Sequence, residues 1–104
     1  MANPYAGEVA LAVDGVERRC KLTLGALAEL EDALGAGSLV DLIRRFEGGA
    51  VGSNDVLAVL HAGLRGGGWA VTRADLLSAD IAGGPVAAAK VAALLLVRAF
   101  TPPA

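Results

Sequence analysis

Residues Glu8 to Thr23 read "EVALAVDGVERRCKLT", and the fold is decided there. Asp14-Gly15 supplies the two positive-φ positions that a type I′ hairpin turn requires. A turn at that point sets the register: Val13 faces Val16, Leu11 faces Arg18, Val9 faces Cys20 and Glu8 faces Lys21. One face then carries Val9, Leu11, Val13, Val16 and Cys20, with Arg18 as its one misfit. The other face pairs Glu8 with Lys21 and Ala12 with Glu17. An isolated two-stranded hairpin is marginal in water, so this one has to lean on helices or on another chain.

Downstream of Thr23 the period turns helical. Thr23 reads as an N-cap, Leu24, Leu27, Leu30 and Leu34 form a stripe, and Gly35 is suited to end the helix. Ser38 with Asp41 resembles a capping box ahead of Leu39, Leu42, Ile43 and Phe46. "EGGAVGSN" (47–54) is a loop, and Ser53 or Asn54 caps a helix through Val56, Leu57, Leu60 and Leu64. Gly66-Gly67-Gly68 stops it. Thr72 with Asp75 opens a short helix holding Leu76, Leu77 and Ile81, which Gly83-Gly84 breaks. Pro85 suits the first turn of a last helix reaching about Phe100, and Pro102-Pro103 closes the chain. The expected architecture is α+β and mostly α: one domain over 1–104, with a hairpin at 8–23 and about five short helices over 24–100.

Composition limits what such a chain does. With 104 residues, two independent cores are not expected, and 55% hydrophobic residues exclude a disordered chain. A net charge of −2 and a pI near 5.2 argue against an electrostatic nucleic-acid binder. Arg18-Arg19 and Arg44-Arg45 are too sparse to form a basic stripe. Val86 to Phe100, interrupted by Lys90 and Arg98, falls short of the roughly 20 apolar residues of a membrane span. "MANPYAGE" has neither a basic nor an apolar leader region. The lone Cys20 cannot form an internal disulfide, which fits a reducing cytoplasm.

Catalytic chemistry has little to work with. One histidine and one cysteine are too few for a zinc site of nitrogen and sulfur ligands. His61 lies near Leu57 and Leu64 on the helix, and Cys20 lies on the inward hairpin face, so both read as structural. Glu29, Glu31 and Asp32 read as a solvated face rather than a docking patch. "GLRGGGW" lacks the spacing of a phosphate loop and follows a helix, so it reads as a helix stop. We therefore expect no enzyme, no metal and no cofactor. Trp69 either anchors that corner or belongs to an interface. The last helix is apolar on nearly every side, which implies central burial or a face that meets a partner. Its candidate partner-binding residues are Val86, Val91, Leu94, Leu95 and Val97.

"NPYAGEVALAVDGVERRCKLTLGALAELEDALGAGSLVDLIRRFEGG", followed by "DVLAVLHAGLRGGGW", resembles a small family of gene transfer agent and phage tail-assembly proteins. A strand pair with a D-G turn, "LTLGALAELE", a "G…SLVDLIRRF" helix and a "GLRGGG" corner come in the same order, over about Asn3 to Phe100. The resemblance implies a tail assembly chaperone that binds the tape measure protein, the major tail tube protein or both, in the cytoplasm of a bacterial host. It implies no catalytic residues and no direct contact with nucleic acid or membrane. A homo-oligomer is also compatible with it. The alternative is a structural tube or connector protein that stays in the particle.

Overall fold

Backbone pairing bears out the register that the D-G turn dictates. The computed structural model describes Asn3, residues 6–34 and residues 38–101, the side chain of Ser38 excepted. β1 (Val9–Val13) and β2 (Val16–Cys20) pair antiparallel, with Val13 opposite Val16, Leu11 opposite Arg18 and Val9 opposite Cys20. Asp14 has φ 50° and Gly15 φ 79°, both left-handed as a type I′ turn demands. Five helices follow: α1 (Leu24–Leu34), α2 (Ser38–Gly48), α3 (Ser53–Gly66), α4 (Arg73–Leu77) and α5 (Gly84–Phe100). The fold is α+β and mostly α.

Capping explains where most of these helices start. Thr23 Oγ1 accepts the Ala26 N–H at 3.1 Å, so α1 begins where its cap predicts. At α4 the box is reciprocal: the Asp75 N–H donates to Thr72 Oγ1 at 3.1 Å, and the Thr72 N–H donates to Asp75 Oδ2 at 3.2 Å. Pro85 occupies the first turn of α5. The cap of α3 is Gly52, not Ser53 or Asn54. The Asp55 carboxylate accepts the Gly52 N–H at 3.0 Å, so the side-chain half of the box works without a hydroxyl before it. α2 also runs to Gly48, inside the stretch read as a loop. The proposed stop at Gly35, the Ser38 side-chain cap and Pro102-Pro103 lie outside the described residues.

α3 is the central element, packed against α1, β2, α4 and α5. The fully buried side chains include Leu30, Leu42, Val59, Leu64, Val71 and Leu95, drawn from α1, α2, α3, α5 and the turn before α4. The C-terminal end of α3 comes close to the outer edge of β2. A Cβ on Gly67 would overlap the Arg19 carbonyl, and one on Gly66 would overlap that of Lys21. The glycines read as a helix stop are therefore also what lets the helix end touch the strand.

Three expectations in and around the hairpin need correction. Ile81 is not helical: it bridges to Val13, with the Asp14 N–H donating to the Asp80 carbonyl at 2.8 Å and the Ala82 N–H to that of Ala12 at 3.1 Å. Residues 80–82 thus cover the turn end of β1, an edge that periodicity alone leaves open. Val16 is 50% exposed although Val13 opposite it is buried, because the covering segment lies on the β1 side of the turn. Glu8 pairs with Arg19 at 3.8 Å instead of with Lys21, whose N–H is drawn toward α3 and donates to the Gly63 carbonyl at 2.9 Å. Arg18, the misfit, lays its guanidinium carbon 3.9 Å from the centre of the Trp69 ring. A cation–π contact is how that apolar face tolerates a charge.

Candidate partner-binding groove

α5 resolves its all-round hydrophobicity by facing two environments. Ala88, Ala92, Leu95 and Leu96 are buried against α3 and the hairpin. Val86, Val97 and Phe100 are at least half exposed, on the side turned away from that core, and Leu94 is exposed beside them. One face is buried centrally, and the other is left exposed.

The outward face forms one wall of an apolar groove. Its main part has a volume of about 730 Å³ and lies between α5 (Val86, Lys90, Ala93) and side chains such as Phe46, Val56 and Leu77 of α2, α3 and α4. A second part of about 350 Å³ continues it toward the C-terminal end of α5, past Val97 and Phe100. Phe46 and Ala93 line both parts, so the two lie next to each other along the helix. Its origin is the packing of α2, which rests chiefly on α1 and leaves the outward face of α5 uncovered.

The predicted site residues divide. Val86, Leu94 and Val97 are exposed, as a partner surface requires. Val91 is partly buried against the core. Leu95 is fully buried and cannot meet a partner, because it projects toward α3, where it contacts Gly63. Trp69 is partly buried under Arg18 and lines a separate small pocket beside Glu29 and Arg65, so it takes the anchoring role and stands apart from the α5 set. Phe46, Lys90 and Phe100 are groove residues that sequence reasoning missed. For Lys90 and Phe100 a signal existed: with Val86, Ala93 and Val97 they repeat at alternating steps of four and three.

Charges in and near the groove are few. Arg45 Nη2 donates to Asp55 Oδ1 at 2.9 Å, tying α2 to the start of α3. The Arg45 guanidinium, helped by the Gly52 N–H, holds the Asp55 carboxyl below the usual carboxylate range. Lys90 in the main part and Glu47 in the second are exposed and have no ion-pair or hydrogen-bond partner among the described residues.

Elsewhere the polar groups are structural. His61 Nε2 lies 3.1 Å from the Val71 carbonyl oxygen, which can only accept, so this nitrogen donates. Burial pushes the Cys20 thiol up to about 12, far from a reactive thiolate. Glu29 of the acidic cluster is paired with Arg65 at 3.0 Å, and that pairing holds its carboxyl low. Among the described residues no three His, Cys, Asp or Glu side chains gather as a metal site would need, and no helix is long and apolar enough to cross a membrane.

Residues 6–101 match the family model described as phage tail tube protein, GTA-gp10. The chain belongs to that family. The match takes in the hairpin, all five helices and both parts of the groove, so the groove is built from the family's own elements. No curated protein and no solved structure matches the chain. Membership assigns a role connected with phage-like tails of the gene transfer agent type.

Proposed function

We propose that this protein is a tail assembly chaperone, acting in the host cytoplasm without catalysis or cofactor, which holds a helical segment of the tape measure or tail tube protein in the α5 groove. The observation that carries this reading is the uncovered apolar face of α5, set opposite the face it buries. Small apolar patches on monomers are ordinary, whereas an apolar groove running along a helix supports the reading of a surface that receives a partner helix. α5 has 17 residues, which at 1.5 Å per residue makes a seat of about 25 Å. Burying Val86, Val97 and Phe100 contributes roughly 3–5 kcal/mol before association costs, which suits a transient complex.

A second reading, a component retained in the finished tail, is favoured by the family's description as a tail tube protein. Against it, the only described strands are two of five residues each, and closed tubes and barrels are built from many paired strands. Two measurements separate the readings. A chaperone co-purifies with the tape measure or tail tube protein from producing cells and is absent from purified particles, whereas a tube or connector protein is present in stoichiometric amount. Val97→Glu is expected to abolish the co-purification while circular dichroism stays unchanged. Retained co-purification with a folded variant overturns the groove as the binding surface.

A further inference from the structure

We propose that the groove takes one amphipathic helix carrying a carboxylate midway along its apolar seam, seated against Lys90. This rests on the reading of the groove as a partner site and adds the chemistry that selects the occupant. Val86, Lys90, Ala93, Val97 and Phe100 follow one another at steps of four, three, four and three. That is the spacing along which a second helix packs knobs into holes. Lys90 sits inside this stripe, on the wall of the larger part of the groove.

Its charge is uncompensated among the described residues. An all-apolar occupant would strip water from the ammonium and give nothing back. An occupant with Asp or Glu at the facing position makes an ion pair in a partly dry seam, and one with Lys or Arg there is repelled. A single polar residue at such a position also fixes register. Glu47 adds a second mark. It lies on the opposite wall, where the groove continues past Val97 and Phe100. The matching helix therefore has its acidic residue level with Lys90 and a basic residue toward the Phe100 end, so it can enter in one direction only.

A second copy of this chain does not meet that description through α5. Gly84–Phe100 contains no Asp or Glu, and its only charges are Lys90 and Arg98. Two such helices laid together leave Lys90 facing apolar groups or its own counterpart.

The test uses the full chain and three synthetic helical peptides of about 20 residues, long enough to span α5. They share one apolar heptad pattern with a basic residue near one end, and carry Glu, Lys or Ala at the central seam position. Affinities are measured by fluorescence anisotropy for wild type, Lys90→Ala and Lys90→Glu, with circular dichroism to confirm folding. The Glu peptide is expected to bind wild type at least about fivefold more tightly than the Lys peptide, the factor that corresponds to about 1 kcal/mol for a partly exposed pair. Lys90→Ala should erase the preference and Lys90→Glu should reverse it. Equal binding of all three peptides overturns the charge selection and leaves the groove as an unselective apolar site. Binding by none overturns the groove reading together with this inference. Sedimentation showing a dimer of the chain that excludes the peptides overturns it in favour of a second copy.

Discussion

Gly67 and Cys20 show how much of this protein turns on single contacts. Gly67 has an ordinary helical conformation, so alanine there is unstrained, yet its Cβ would enter the Arg19 carbonyl. Gly67→Ala should cost about 1–3 kcal/mol by prising α3 off β2. Gly48→Ala is the control: a Cβ there meets nothing within 4 Å, and the change should be neutral or stabilising by up to about 1 kcal/mol. Chemical denaturation of the two variants measures the difference, and equal stabilities would contradict the close approach. Cys20 is read through its reactivity. With its thiol pushed up to about 12 by burial, it should resist a thiol reagent at pH 8 in native protein and react at once in denaturant. Rapid stoichiometric labelling of the native chain would contradict that burial.

Among the elements, α5 carries the clearest division of labour, and substitution on its two faces should separate stability from binding. Leu95 is fully buried, so Leu95→Ala should lose about 2–5 kcal/mol through lost burial and a cavity. Val97 is 60% exposed, so Val97→Glu should change stability by no more than about 0.5 kcal/mol. Thermal unfolding of both variants is the measurement, and a strong destabilisation by Val97→Glu would place that residue in the core. Periodicity marks the stripe through Lys90 but leaves the division incomplete beforehand. Leu94 and Leu95 are equally apolar neighbours, and only the position of α3 beneath Leu95 says which of them is buried.

For the whole molecule, ion pairs join separate helices: Arg45–Asp55 links α2 to α3, and Arg65–Glu29 links α3 to α1. Both carboxyls are held below their ordinary values, chiefly by the hydrogen bonds from their arginines. A carboxyl whose folded value is depressed contributes stability above its unfolded value, and that contribution is lost as pH falls through the folded one. Stability should therefore decline as the pH drops below about 4, the ordinary carboxylate value. Asp55→Asn should be less stable than wild type at pH 7 and should lose less on acidification. Melting temperatures at pH 7, 4 and 3 test this, and parallel acid limbs for the two proteins would remove Asp55 from the account.

The hairpin, its register, the five helices and the caps at Thr23 and Thr72 were legible in the sequence, because turn chemistry, side-chain alternation and capping act over a few residues. Local rules could also show that the last helix has more apolar surface than one core-facing stripe uses. Tertiary packing decided the rest. It put Ile81 beside Val13, moved the Glu8 pairing to Arg19, laid Arg18 over Trp69 and buried Leu95. By leaning α2 on α1 it also opened the groove along α5, with Lys90 and Phe100 on its wall. These outcomes depend on contacts between residues far apart in the chain, whose distances are set only when the helices settle around α3. Local pattern carries no information about which surfaces that settling covers and which it leaves open.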